Sequence, residues 1–413
     1  MVSISLTPFP PETNPPCHKT SGDHVSRTYT PREMLEKLIS FNTVSDRSNL
    51  DLITFVEDYL SQWGVASGRA LDETGQKAAL YALIGPDIDG GTVLSAHTDV
   101  VPVAGQNWSQ DPFSAWEENG RLYGRGAADM KGFAATVLAK VPDFLNAPLR
   151  RPIHIALSYD EETGCDGARV LIPEMLANGP RPSVVIVGEP TSMKVVTGHK
   201  GITVLKTRIQ GHPVHSSQLH RGVSAISAAA RLIGWLDART AENRAKADPD
   251  CPFEPPYTTL HCGTISGGQA HNITAQHCEF VTDIRLLPGE HAKDWVAAYR
   301  AFIENEVLPG MNAISPDCAI EVRELAYVPG LGEEPDGLAE TTARRLTGDN
   351  SRNVVVYATE GGIFQDHGLS TVVCGPGSID QAHQPDEFIE LSELDRCAAF
   401  LDKLIDRMSQ FDS

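Results

Sequence analysis

Four short apolar runs in this chain each lead into side chains that can bind a metal or move a proton. TVLSA (Thr92–Ala96) runs into His97 and, two residues on, Asp99. HIALSY (His154–Tyr159) runs into Glu161 and Glu162, SVVIV (Ser183–Val187) into Glu189, and TVVC (Thr371–Cys374) into the loop GPGSIDQAHQP with His383. Runs this short and this apolar suit strands buried on both faces, which occur in α/β sheets. Helical patterns separate them at Leu52–Trp63, Met130–Leu145, Leu338–Leu346 and Leu391–Met408, with further strands at Ala78–Ile84 and Val354–Tyr357. The alternation predicts a mixed, mostly parallel central sheet flanked by helices. Ligands of open α/β sheets bind beyond the carboxyl ends of the strands, so these scattered side chains are expected to converge.

The texture changes near residue 197. GITVLKTRIQ (Gly201–Gln210) alternates like a half-exposed strand. A helix at Ser224–Leu236, strands at Thr258–Ile265 and Cys278–Leu286, a helix at Ala292–Glu306 and a strand at Ala319–Ala326 follow. That β-α-β-β-α-β order is the split βαβ, or ferredoxin-like, layout. The expected organisation is a leader at 1–29 rich in Pro, Ser and Thr, a discontinuous domain at 30–196 and 329–413, and an inserted domain at 197–328. Thr30 as a cap with Pro31 behind it marks the first helix.

With 34 Lys and Arg against 54 Asp and Glu, the net charge is −20, and no basic run offsets it. This argues against nucleic acid and against anionic membranes as partners. The eight cysteines form no C-x-x-C pair, and no apolar stretch reaches the ~18 residues of a membrane span. Free thiols and a cytoplasmic location are the expectation. No G-x-S-x-G elbow marks a serine hydrolase. GRGAAD resembles the start of a dinucleotide fingerprint, but Asp129 replaces its last glycine and no strand is expected to lead tightly into it.

Zinc takes imidazole and carboxylate ligands, and a two-zinc site needs a bridging carboxylate with one or two terminal ligands per ion. His97, Asp129, Glu162, Glu189 and His383 supply that number, with Asp129 the natural bridge. Asp99 is placed to accept the His97 imidazole N–H and fix its tautomer. Adjacent residues at a strand end point in different directions. One of Glu161 and Glu162 can therefore ligate while the other takes a proton from a metal-bound water.

The segments SAHTDVVPV, GRLYGRGAADMKG, SYDEETG, IVGEPT and GPGSIDQAHQPDE resemble, in order and content, the metal-site motifs of the M20 family of zinc-dependent amidohydrolases and peptidases. The resemblance runs from about residue 30 to the end. It implies two Zn2+, with Co2+ as a possible substitute. His97 and Glu189 would hold one ion, Glu162 and His383 the other, and Asp129 would bridge. Glu161 would be the general base and Asp99 the orienting carboxylate.

The inserted domain resembles the family's dimerisation lid. His215 in GHPVHSSQLHRG would reach the active site of a homodimer partner and stabilise the oxyanion. Arg285 in TDIRLLPG would clamp a substrate carboxylate, and Asn272 and the backbone at Gly361 would line the pocket. SFNTVSDRSNLDLI, GEPTSMKVVTGHKG and YATEGGIFQDHG are most similar to the acetylornithine deacetylase branch, which implies N2-acetyl-L-ornithine as substrate and a place in arginine synthesis. Relatives acting on N-formyl, N-carbamoyl or N-succinyl amino acids or on dipeptides, and a non-catalytic metal-binding relative, stand as alternatives. In AHNITAQHCEF the family more often has Val-Pro where this chain has Thr274 and Ala275.

Overall fold

The computed structural model describes residues 27–410, so residues 1–26 of the expected leader lie outside the described residues. Along the described chain the strands are β1 (Ser67–Leu71), β2 (Ala78–Ile84), β3 (Thr92–His97), β4 (Trp116–Glu118), β5 (Arg121–Tyr123), β6 (Ile153–Ser158), β7 (Val184–Pro190), β8 (Val196–His199), β9 (Gly201–Gln210), β10 (Thr259–Gly267), β11 (His277–Leu286), β12 (Ala319–Val328), β13 (Asn353–Val355), β14 (Ser370–Gly375) and β15 (Phe388–Glu390).

Eight of them form the central sheet, in the order β1-β2-β6-β3-β7-β14-β8-β13. Its middle, β6-β3-β7-β14, is parallel throughout, while β1, β2 and β6 pair antiparallel at one side. Every residue of β3, β6 and β7 is buried, as strands covered on both faces by helices must be. One apolar core fills one side of the sheet around Leu94, Phe133, Ile155 and Leu401, and a second fills the other around Val93, Leu171, Val187 and Phe364.

β9 to β12 form a separate antiparallel sheet, ordered β10-β11-β9-β12. Its helices, Ala225–Ala245 and Ala292–Phe302, cover one face and share a third core with Leu205, Phe280 and Ile284. This order is the ferredoxin-like one expected for the insert. Two chain crossings join the sheets, and they bond to each other. The His199 N–H donates to the Leu331 carbonyl and the Leu331 N–H to the His199 carbonyl, both at 3.0 Å.

Local chemistry explains where elements begin and break. Thr30 and Glu33 cap the helix Pro31–Ile39 reciprocally, each side chain bonded to the other's backbone N–H. The helix expected at Met130–Leu145 is two helices, Lys131–Ala139 and Val141–Asn146, divided at Lys140. Pro142 has no N–H to continue the ladder and ends the first helix just before it. β1, β8, the helices Asp166–Ala177 and Gly361–Asp366, and a side sheet of β15, β5 and β4 were not foreseen. β5 leads directly into the Gly-rich turn before Asp129, contrary to the expectation of no strand there. No described helix is long and apolar enough to cross a membrane, and the seven described cysteines are free thiols.

Candidate active site

The carboxyl ends of the parallel strands carry the expected cluster. His97 is the last residue of β3, Glu189 sits near the end of β7, and His383 lies in the loop after β14. Glu161 and Glu162 open a single helical turn, Glu161–Gly164, just beyond β6. Gly188 fits beside Glu189 because a Cβ there would overlap the Phe133 ring at 2.0 Å.

Asp129 stands at the centre. One carboxylate oxygen lies 3.1 Å from His97 Nε2 and the other 3.2 Å from His383 Nε2. His383 Nε2 is also 3.0 Å from Glu162, and His97 Nε2 is 3.8 Å from Glu189. Ligand atoms of His97, Glu161 and Glu189 lie within 4.8 Å of one another, and so do those of His97, Asp129 and Glu162. Among the described residues, Glu161 is the one carboxylate of the cluster with no imidazole nitrogen within 4.0 Å.

The electrostatics follow from crowding acids in a dry place. Burial pushes the Glu161 carboxyl well above the usual range, against the pull of His97 and with the push of Glu162 and Asp129. Burial and then the Asp129 charge raise Glu189 well above it too, and they push Glu162 up to about 7. Burial would also raise Asp129, but the imidazoles of His383 and His97 outweigh it and hold this carboxyl low. Bonds to Asp129 and Glu162 raise His383 to about 10. One oxygen each of Glu162 and Glu189 is buried without a hydrogen-bond partner. Such a set, with unpaired lone pairs turned inward, has the composition of a cation site, and its donors suit zinc or a similar divalent ion.

The surroundings hold these groups in place. His97 Nδ1 is 2.9 Å from the Asp99 carbonyl and 3.5 Å from its carboxylate. The main-chain oxygen is therefore the nearer acceptor and fixes the tautomer. Besides facing His97, the Asp99 carboxylate accepts Ser45 Oγ at 2.7 Å and the backbone N–H groups of Glu161 and Glu162 at 3.2 and 3.4 Å. It thus ties the β3 end to the Glu161 turn. Ser45→Ala should lower stability by about 1.5–3 kcal/mol, the worth of a hydrogen bond to a charged group. Urea unfolding of the two proteins checks this; an unchanged midpoint would mean that water replaces the hydroxyl.

Three supports were not foreseen. Glu387, 1% exposed, accepts backbone N–H groups from Gly126, Ala128 and Asp129 at 3.1, 2.9 and 3.0 Å, and pairs with buried Arg125 at 2.6 Å. It moulds the loop that presents Asp129. Gly126 has φ +84, which a glycine adopts without strain. Glu360, fully buried, accepts the hydroxyls of Ser95 and Ser158 and bridges β3 and β6 beneath the cluster. Ser45 is the third. Glu387 lies within a quoted motif, but nothing in the sequence pairs it with Arg125.

The remaining expected residues are elsewhere. Arg285, on β11 opposite Ile202 of β9, is held by Asp283 through two bonds of 2.8 and 2.9 Å. This end of the smaller sheet is the one near the cluster, because the Glu161–Gly164 turn touches β12 there. Gly361 is buried beside Glu360 and close to His199 Nε2. Burial pushes His199 down to about 4, so its imidazole is neutral at pH 7. His215 and Asn272 lie at the opposite end of the smaller sheet, where His215 bridges Ile273 and the Asn272 carbonyl accepts the Ser216 N–H. Arg285 lies eight steps along β11 from His277, a run of ~27 Å. The cluster therefore gathers His97, Asp99, Asp129, Glu161, Glu162, Glu189 and His383, but neither His215 nor Asn272 of the same chain. Thr274, where the family more often has Val, accepts the Val214 N–H at 2.7 Å and so steadies the His215 segment.

Solved structures share the fold. The M20 family metallo-carboxypeptidase from Sulfolobus solfataricus is 17% identical, with 92% of this chain and 99% of that one covered at a TM-score of 0.72. Aminopeptidase PepT from Bacillus cereus is 19% identical, with 92% and 98% covered at 0.70. A dinuclear metal-binding peptidase of the M20 family from Bacillus subtilis is 15% identical, with 92% and 98% covered at 0.63. Residues 93–407 match the sequence profile of peptidase family M20/M25/M40, a span that contains every member of the acidic and imidazole cluster, and the chain belongs to that family.

Proposed function

We propose that the protein is a two-zinc amidohydrolase that removes an acyl group from the α-nitrogen of a small amino acid, N2-acetyl-L-ornithine first. In this reading residues 30–196 and 329–413 are the catalytic domain and 197–328 the lid. The observation that carries the reading is the position of Glu161. It sits inside the ligand cluster yet is free of either imidazole. His97, Asp129 and Glu189 would hold one ion, and Asp129, Glu162 and His383 the other. A bound pair of divalent ions would supply an acidified water and polarise the acyl carbonyl.

The chain's own residues do the rest. Glu161 takes the proton from the attacking water. Burial raises its carboxyl and makes it a stronger proton acceptor than an exposed carboxylate, and it can return the proton to the departing amine. Arg285, with a planar guanidinium, would pair with the substrate carboxylate, and its bond to Asp283 would orient it meanwhile. The backbone at Gly361 would form part of the pocket wall, with Asn272 following His215. Acetate and the free amino acid leave.

His215 would serve the active site of a second subunit. Its distance from its own cluster supports this. So does the outer edge of the smaller sheet, where among the described residues β10 has no neighbour beyond it and Ile265, Ile226, Leu219 and Ile273 are exposed. His215→Ala should lower turnover by about 10²–10³ with metal content unchanged. Mixed and reassociated with Glu161→Gln, it should recover about a quarter of wild-type activity, since half the dimers then carry one intact site. A mixture as inactive as its parts would end the shared-site reading.

The substrate is tested by amine release from N-acetylornithine, N-acetylcitrulline, N-formyl and N-succinyl amino acids and dipeptides, with added zinc or cobalt and with chelator. Metal-dependent preference for N-acetylornithine supports the assignment. Preference for another member changes the substrate and keeps the chemistry. No turnover by folded, metal-loaded protein rejects the amidohydrolase reading.

A further inference from the structure

The central sheet has a second end. A cavity of about 410 Å3 opens where its parallel strands begin. Thr92 and Val184, the first residues of β3 and β7, form part of its wall. His97 lies five residues along β3, so the cavity is ~17 Å from the cluster, through the thickness of the domain. The two places are opposite in charge. The cluster is built from carboxylates, whereas the cavity is lined by Arg151, which has a partner of its own, and by Arg345 and Arg407, and among the described residues by no acidic one.

The three arginines come from three parts of the chain: the segment before β6, the last turn of the helix Leu338–Thr347 and the last turn of the helix Leu391–Met408. Cations in a last helical turn are favoured by the helix dipole, which accounts for two of them singly but not for their meeting. In a chain of net charge −20 a guanidinium usually finds a carboxylate, as Arg344 does with Glu340. The side chains of Arg345 and Arg407 have no such partner and no hydrogen-bond acceptor among the described residues. A separate observation points the same way. Thr342 is fully buried in the cavity wall, and its hydroxyl has no hydrogen-bond partner among the described residues. Buried hydroxyls in folded proteins are ordinarily paired.

We propose that this cavity is a binding site for a small organic anion bearing carboxylate or phosphate groups. Arginine presents paired N–H donors that fit both kinds of oxyanion, and the volume lies within the range of small-molecule sites.

Calorimetric titration of the metal-loaded full chain with succinate, and separately with inorganic phosphate, tests the site. At least one of the two should bind saturably to wild type and at least about tenfold more weakly to Arg345→Gln/Arg407→Gln, as loss of charge-assisted bonds requires. Binding of succinate alone would identify a carboxylate ligand, and of phosphate alone a phosphate ligand. The metal cluster is the same in both proteins, so an anion that binds there binds both alike. Equal affinity in the two proteins, or no binding of either anion to wild type, overturns the proposal. Arg345→Gln alone, at an exposed side chain, should weaken binding in the same direction and guards against a folding defect in the double variant.

Discussion

Glu161→Gln should retain wild-type metal content and lose about 10⁴-fold in turnover, the upper end of what a positioned acid–base group contributes, because on the proposed reading one side chain would serve both proton transfers. The substitution preserves shape and removes only the ability to take a proton. Its backbone N–H still reaches Asp99, so the turn it begins stays in place. Metal analysis beside the rate measurement makes the result decisive. Ligand atoms of Glu161 also lie within 4.8 Å of those of His97 and Glu189, an arrangement that could hold an ion directly. If the variant loses a metal along with its activity, Glu161 is a ligand and the base must be sought elsewhere.

Metal removal should have the second largest effect, and its size should depend on pH. In the metal-free protein the raised carboxyls are stabilising while protonated. Glu162 moves from 4.5 to about 7 on folding, so its contribution is complete below pH 4.5 and is lost as pH rises through about 7. That shift is worth on the order of 3 kcal/mol. Glu161 and Glu189, also raised by burial, act in the same direction. His383, raised from 6.5 to about 10, contributes stability that is complete below pH 6.5 and lost as pH climbs through about 10. Metal-free protein should therefore weaken steadily from pH 4.5 upward. Bound cations reverse this by compensating the ionised carboxylates, and at ~1,000 times Kd they add about 4 kcal/mol. Melting curves at several pH values, with and without chelator, should diverge as pH rises from 5 to 8. Parallel curves would show that the cluster is not the metal site.

The sequence was most legible where function and fold use the same device. A strand buried on both faces reads as an apolar run, and the residue ending it reads as a ligand, so β3, β6, β7 and β14 and their cargo were visible together. The ferredoxin-like insert was visible because half-exposed strands alternate, as GITVLKTRIQ does. What stayed hidden depends on partners distant in sequence. Glu387 acquires its task only when Arg125 and three backbone N–H groups close around it, 258 to 262 residues away. Asp99 was read as the acceptor for His97; its carbonyl comes nearer than its carboxylate, and the carboxylate, still facing His97, also binds the turn after the neighbouring strand, a task no sequence pattern announces. β1 escaped because SGRAL is polar and covers an edge, with one buried residue in five. Lys140 marks a break that the proline two residues later announces only in hindsight of the packing.

The paired crossings at His199 and Leu331 determine how the smaller unit can move. A single connecting strand would act as a ball joint, free to swivel and twist. Two strands cross-linked by reciprocal hydrogen bonds, with Gly201 and Gly330 pressed together beside them, make a flat strap. A strap bends readily across its width and resists torsion, as hinges built from a few element-terminal residues do. Arg285 lies close to that axis and travels little, whereas His215, near the far end of the sheet, sweeps the widest arc. On the proposed reading, flexion at the strap would carry the His215 imidazole to or from a second subunit's centre while Arg285 stays nearly still.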